Sequence, residues 1–444
     1  MTVSVSPPAT VKRGLQALPF YYGWVIIVVG ALAMLATLPG RTHGLGTITE
    51  RLLNDPELHL DRLQFGKINF WATILGAAFC LPCGKLLDRL GTRLTLTGVT
   101  ASLGIVVLMM THLTGHVMFF LAILLTRGLG QSALSVVSLA MAGKWFSRRL
   151  SLAMGIYTVL TALGFITAFQ VIGNYRDAHW QTVWSGLGYA LLLGMTPLAL
   201  LFVRNTPEEY GLTVDGIERS NIGPSVPATG STLGAALSEP SFWAFALTTS
   251  MYGLVSSGVS LFNEDILVER GFTKESYYTL LKVSTGLGLA GNFLAGWLVQ
   301  WSSLRRVMGL SMLLLTGALF WLPHVGNFPQ LILYAVGMAF GGGMMTVVFF
   351  TAFGQVFGRL HLGQIQGVAQ MLTVFSSALG PLLLAYVRDR YHSYMPFFYA
   401  SALAVLALGL WTCFLKIPDP GESSLTTVAP AVAPDVPSTT ALST

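Results

Sequence analysis

The stretch GKLLDRLGTR, Gly84–Arg93, packs two glycines, three bases and one acid into ten residues. Apolar sequence flanks it on both sides, near 65–84 and 94–112. Each flank is close to the ~20 residues that carry a helix across a hydrocarbon core of about 30 Å. Charge confined to a short turn between two such stretches reads as a helical hairpin: the chain leaves lipid, turns at the interface and goes back. Gly84 and Gly91 permit the tight turn and a close helix approach. Asp88 is placed to face the N-terminus of a neighbouring helix, and Arg89 and Arg93 stay at the interface.

Outward from this hairpin the same alternation runs through the chain. Apolar stretches lie near 21–42, 65–84, 94–112, 117–142, 148–172 and 183–203, then near 241–263, 276–298, 305–323, 330–353, 363–387 and 394–415. The composition agrees: 53% of residues are hydrophobic and 10% charged, against about 25% charged in a soluble domain. Lipid must cover a surface so poor in charge. Backbone groups in lipid bond internally, which forces helices, and the alternating ten-residue strands of a β-barrel are missing. The first apolar run, about 20–39, is longer than the 7–15 residues of a cleavable signal core, so it is read as a retained span. The fold expected is an all-α polytopic membrane protein of twelve transmembrane helices.

Lysine and arginine set the expected orientation. With the N-terminus inside, cytoplasmic segments hold fourteen of them and outer segments eight. That bias puts both termini in the cytoplasm of a plasma or inner membrane. The net charge of +6 does not imply nucleic acid, because the bases recur in short groups between apolar runs. Residues 204–240 form the longest polar stretch, rich in Pro, Gly, Ser and Glu, and suit a cytoplasmic linker. The expected organisation is a tail (1–20), a six-helix bundle (21–203), the linker (204–240), a second bundle (241–416) and a disordered tail (417–444). At an offset of 212 positions, Gly84 aligns with Gly296, Arg93 with Arg305, Gly130 with Gly342 and Gly155 with Gly367. The two halves are thus read as pseudo-symmetric repeats, an established transporter plan.

Three cations are candidates for a cargo site. Arg127 falls mid-span in RGLGQSA, where a charge costs at least ~2.5–3.5 kcal/mol unless it faces the interior or a wet cavity. Lys282 lies about two turns into span eight, and Arg41 late in span one, in LPGRTHG. No Asp or Glu lies well inside a span; Glu50, Glu264 and Asp265 sit near outer ends. A cavity holding only cations attracts anions, so a small anionic substrate is expected. Tyr157 and Gln370 are neutral residues able to bond it. Gly341–Gly343 followed by Met344 and Met345 would loosen span ten into a gate on one reading; the favoured reading is close helix packing. Cys80 and Cys83 form a CxxC, but inside an apolar run they read as packing. His112 and His116 are two ligands, too few for a metal site. No Walker loop, HExxH or GxSxG occurs, and no catalytic residue, cofactor or metal is assigned.

GKLLDRLGTR resembles the signature loop of the major facilitator superfamily, in its glycine, aspartate, arginine, glycine and arginine and in their spacing. In that family the loop locks the two halves together on the cytoplasmic side, so the resemblance implies a latch of Gly84, Asp88, Arg89, Gly91 and Arg93. The matching loop from Gly296 has Gln300 where Asp88 stands, which weakens any charge latch there. YYGW at Tyr21–Trp24, WFSRRLSLAMGI at Trp145–Ile156, RNTPEEYGL at Arg204–Leu212 and GPLLLAYVRDRYHSYMPFF at Gly380–Phe398 are similar to the monocarboxylate and oxalate–formate branch. That branch places a lysine after a proline late in helix one; here Arg41 follows Pro39 by two. It also tends to carry an arginine in helix eight where this chain has Asn292. The function implied is secondary transport of a small organic anion, a monocarboxylate among the options, by a monomer in the bilayer, coupled to protons or to anion exchange. An exporter of amphipathic drug-like compounds and a non-transporting sensor with a carrier fold are the alternatives.

Overall fold

A computed structural model describes residues 16–53, 55, 62–112, 115–175, 178–216 and 230–415. Among these, ten helices are long and apolar enough to cross a membrane. One of them, Gln64–Met110, has 47 residues, about 70 Å of helix, twice a bilayer core. It breaks at Gly91, whose φ of 80° and ψ of 170° are not helical. Its arms before and after Gly91 are α2 and α3. The other crossings are α1 (Gly23–Gly40), α4 (His116–Trp145), α5 (Leu150–Gly173) and α6 (Trp180–Phe202) in the first half. The second half holds α7 (Pro240–Glu269), α8 (Lys274–Trp301), α9 (Leu304–His324), α10 (Phe328–Phe357), α11 (Leu362–Tyr391) and α12 (Met395–Phe414). The apolar part of α8 is the shorter run Val283–Val299. Twelve crossings result, and the only β pairing among the described residues is an isolated bridge, Gly230–Gly358.

Large apolar side chains point outward on both halves: Leu94, Leu193, Leu313 and Leu403 are all more than half exposed. On a soluble protein such a surface would aggregate; here it is the face that lipid covers. Inside, Trp145, Tyr157, Phe353 and Phe398 are fully buried.

The repeat seen in the sequence is a repeat of contacts. Gly155 and Gly296 bring α5 and α8 together: a Cβ on Gly155 would sit 3.3 Å from the Gly296 Cα. Their partners at the 212 offset, Gly367 and Gly84, do the same for α11 and α2, where a Cβ on Gly367 would sit 2.7 Å from the Cys80 carbonyl and 3.8 Å from the Gly84 Cα. Within the halves, Gly130 meets Gly40 of α1, and Gly342 meets the Tyr252 hydroxyl of α7; Gly40 and Tyr252 are also 212 apart. Of the two readings of Gly341–Gly343, the favoured one, close packing, is what α10 shows: it is a continuous helix, with Gly341 against Leu315 and Gly343 against the backbone of Gly288 and Asn292.

Linker residues 204–216 and both ends of the described chain lie on one face of the bundle, termed the linker face. Gln16 bonds the Tyr210 carbonyl there, and Arg305, at the start of α9, bonds the Leu415 carbonyl. Lys12, Arg13, Arg176, Arg219 and Lys416, used above to orient the chain, lie outside the described residues, as does the tail 417–444.

Candidate functional site

Helix α1 does not end cleanly. Pro39 lacks an N–H, and Leu38–Gly40 tightens into a 3₁₀ turn. Arg41 follows with extended backbone (φ −93°, ψ 151°). Its side chain runs back along α1: Nε donates to the Thr37 hydroxyl at 2.6 Å, and Nη2 to Met34 Sδ at 2.8 Å and to Ser135 Oγ at 3.4 Å. The guanidinium also lies over the Phe165 ring, 5.7 Å from its centroid. Every one of these partners is neutral.

Arg127 is 2% exposed and begins a π-helical segment, Arg127–Leu134, within α4. The wider turn receives the broken end of α1: a Cβ on Gly40 would lie 2.5 Å from the Thr126 carbonyl and 2.7 Å from the Gln131 nitrogen. Arg127 Nη1 donates to the Gly40 carbonyl at 2.9 Å, to Thr42 Oγ1 at 3.1 Å and to Gln131 Oε1 at 3.0 Å, and Nη2 donates to Asn69 Oδ1. Its bonds thus reach the end of α1, α2 and α4.

Tyr157 is buried on α5, toward the linker face from Arg41. Ser138 donates to the Gly30 carbonyl at 2.7 Å, so the 2.6 Å contact between Tyr157 and Ser138 has the tyrosine as donor. The Tyr157 ring stands edge-on to Phe350 of α10, with centroids 5.7 Å apart. This contact bridges the halves. From the second half, α11 brings buried Gln366 and Gln370, one turn apart. Among the described residues, Gln366 Nε2 on α11 and Asn292 Oδ1 on α8 are buried without a hydrogen-bond partner.

The side-chain bonds that join the halves cluster at the linker face. Asp88 Oδ1 accepts the Gly363 N–H at 3.0 Å, and Oδ2 accepts the Gln364 N–H at 2.9 Å and its Nε2 at 3.3 Å. These are orphan donors of the first turn of α11, where a carboxylate also meets the helix dipole. Lys144 Nζ stands 3.9 Å from Asp88 Oδ1. Gln355 of α10 bonds Ser151 of α5 at 3.0 Å. Arg359 Nη1 donates to the Lys144 carbonyl at 2.7 Å, and Nη2 pairs with Glu208 of the linker at 2.6 Å.

Two repeated bundles joined this way form a recognisable scaffold. The sequence profile of the Major Facilitator Superfamily matches residues 14–303 and again 248–443. The chain belongs to the Major Facilitator Superfamily. Within the superfamily it is related to the monocarboxylate transporters. Monocarboxylate transporter 13 of Rattus norvegicus is 26% identical over 398 residues, 87% of each chain. Monocarboxylate transporter 12-B of Danio rerio is 23% identical over 357 residues, 74% of each. Among solved structures, the superfamily transporter FucP in the outward conformation superposes with a TM-score of 0.64 at 14% identity, over 88% of this chain and 99% of that one. The human organic anion transporter MFSD10 (TETRAN) gives 0.62 at 15% identity, over 92% and 99%. At such identities the structures speak for the fold.

Within this superfamily transporter, the residues singled out from sequence fall into three places. Arg41 and Tyr157 share one region, linked through Ser135 and Ser138 on α4. Arg127 is close by but committed to backbone and amide groups. Gly84, Asp88, Gly91 and Arg93 gather at the linker face: Asn205 Oδ1 accepts the Arg93 N–H at 3.1 Å, and Arg93 Nε donates to the Leu200 carbonyl at 2.7 Å. Arg89 is exposed. Lys282 lies on α8, and its side chain, like that of Gln300, lies outside the described residues. Ser138, Phe165, Phe350, Asp215 and the Glu208–Arg359 pair had no separate signal in the sequence, being ordinary residues until the helices are assembled.

Proposed function

We propose that this transporter carries a small organic monoanion by alternating access, with the linker face in the cytoplasm of the cell membrane and Arg41 as the anchor for the anionic group. One observation carries the reading. Arg41 is held at mid-molecule by two hydroxyls, a thioether and an aromatic ring, and among the described residues no carboxylate pairs with it. A guanidinium in low dielectric without a counter-charge is an anion site by electrostatics. The kinship with monocarboxylate transporters supports a carboxylate as that anion.

Arg127 then has a supporting role. Its bonds fix the end of α1, which in turn aims Arg41; it is not a second cargo contact. Phe165 lies over the anchor and Tyr157 packs on Phe350 nearer the linker face, aromatic surface that suits a cargo whose body is apolar. The linker face is closed here, and rocking of the halves about the glycine crossings gives access to the cytoplasm. Proton symport and anion exchange both remain compatible with a site that contains no buried acid.

Uptake into proteoliposomes tests the reading. Labelled monocarboxylates should accumulate when either a pH gradient or an internal anion is imposed, and Arg41→Gln should abolish this while the protein remains folded. Uptake of neutral or cationic solutes alone would sink the proposal.

A further inference from the structure

We infer that the linker carries a second clasp for the linker face, the Glu208–Arg359 pair, and that Asp215 is the positioning residue that holds it. The repeat leads to this assignment. Asp88 reaches from the α2–α3 turn to the first turn of α11. Its counterpart 212 positions on, in the α8–α9 turn, would reach the first turn of α5, but position 300 is Gln. The second half therefore lacks the acid that would complete a symmetric pair of clasps.

The N–H groups at the entrance to α5 are nonetheless capped. Asp215 Oδ1 accepts the N–H of Ser147 at 3.0 Å and of Arg149 at 3.1 Å, and Oδ2 accepts that of Arg148 at 2.9 Å. Asp215 is 4% exposed and has φ of 61°, a left-handed conformation that a residue with a Cβ rarely adopts. Three charge-assisted bonds hold it there. Next to it, Gly216 packs against the Tyr21 ring. Further bonds tie the strap down: Asn205 to Arg93 and the Trp145 indole to the Arg204 carbonyl at 3.2 Å. Residues 204–216 thus travel with the first half.

Glu208 is presented from this strap. Arg359, in the α10–α11 turn of the second half, pairs with it and with the Lys144 carbonyl. A single guanidinium therefore spans the boundary and grips the linker and the end of α4 together. Among the described residues the bonds of Asp215 are to the first half; it anchors the strap so that Glu208 meets Arg359. When the halves rock and the linker face opens, the Glu208–Arg359 and Asp88–Gly363 contacts must part, while the Asp215 bonds persist. The clasp biases the conformational ratio and leaves cargo binding alone.

The test uses the full chain with spin labels on Val117→Cys and Phe328→Cys, two exposed sites on the face opposite the linker, at the starts of α4 and α10. Cys413→Ser removes the exposed cysteine, and the buried Cys80 and Cys83 stay. Pulsed electron paramagnetic resonance then reads the distance distribution without cargo. Glu208 is well exposed, so the effect is modest: Glu208→Gln and Arg359→Gln should each move the open-to-closed ratio of that face about two- to five-fold toward closed. Asp215→Asn should shift it in the same direction with Glu208 intact. The exchange Glu208→Arg with Arg359→Glu should restore part of the original distribution, the bond to the Lys144 carbonyl being lost. Unchanged distributions in both glutamine variants, or an exchange that restores nothing, would overturn the inference. Arg41→Gln should lose cargo binding and leave these distances alone, so failure of the anion reading is told apart.

Discussion

Asp88 and Gly363 belong to opposite halves of the chain, and the carboxylate of one accepts the backbone N–H of the other at 3.0 Å. Nothing wider than a glycine fits beside this bond. A Cβ on Gly363 would lie 2.7 Å from Asp88 Oδ1 and 2.7 Å from the Gly84 carbonyl. The acid and the two glycines therefore act as one device: the glycines let the backbones touch, and the touching brings the first turn of α11 onto the carboxylate.

Steric load at this crossing should be graded. A Cβ on Gly84 would overlap the Gly363 carbonyl and lie 3.0 Å from the Gln364 Cα, whereas one on Gly155 comes no nearer than 3.3 Å, to the Gly296 Cα. Gly84→Ala should thus push the linker face apart, while Gly155→Ala needs a shift of a few tenths of an ångström. Accessibility of a reporter cysteine at the linker face, read by maleimide labelling, should rise at least several-fold for Gly84→Ala and stay near wild type for Gly155→Ala. Equal labelling in the two variants would contradict the crossing geometry.

Removing Arg127 should cost stability before it costs cargo recognition. Arg127→Leu strands the Gly40 carbonyl, Asn69 and Gln131 in the interior, each worth about 1–3 kcal/mol when left unpaired. Arg127→Lys should rescue little, because one ammonium cannot serve acceptors on three helices. Thermal unfolding in detergent should show a drop in Tm for both. A normal Tm with lost substrate binding would make Arg127 a cargo contact instead.

The sequence laid out the helices almost completely, because a bilayer imposes length and apolarity on each crossing separately. The turn at Gly91 and the cap by Asp88 were legible for the same local reason, a short charged motif with fixed spacing. Arg41 and Arg127 were visible only as unexplained charges. Which of them is spent on the backbone depends on a π-helical turn in α4 and a 3₁₀ break in α1, and neither has a local signature beyond Pro39. Phe165 and Phe350 could not be told from packing phenylalanines before α5 and α10 were brought together. Asp215 was hidden by its place in a polar linker, where acids are expected to be solvated.

A pH effect should originate in the same linker. Burial raises the pKa of Glu209 above its ordinary 4.5, and the nearby Glu208 adds to the rise, against the Asn205 hydrogen bond and the Lys144 charge. A raised carboxylate pKa means that the folded state holds the proton more tightly than the unfolded one. Its stabilising contribution is therefore full below the unfolded value and declines as pH climbs through the raised value. Glu209→Gln, which mimics the protonated form, should flatten the fall of Tm above about pH 4.5. Parallel pH profiles for wild type and variant would exclude this residue as the source.

Cargo charge should be limited to one. Arg41 and Arg127 both have only neutral described partners, but those of Arg41 include a thioether and a 3.4 Å contact that a carboxylate can displace, whereas Arg127 is held by the Gly40 carbonyl, Thr42, Gln131 and Asn69. A second carboxylate on the cargo could bond a cation only by displacing Arg127 from the acceptors it holds on three helices, and a buried charge left without such a bond is penalised by several kcal/mol. Competition against uptake of a labelled monocarboxylate should therefore favour benzoate- or butyrate-like monoanions over succinate by at least tenfold, and the preference should weaken in Phe165→Ala for the aromatic acid alone. Arg41→Lys should retain the charge preference at reduced affinity, since an ammonium keeps the charge but loses the fork that spans Thr37 and Ser135. Succinate competing as well as benzoate would show that a second cation serves the site, and Lys282 on α8 would be the residue to substitute next.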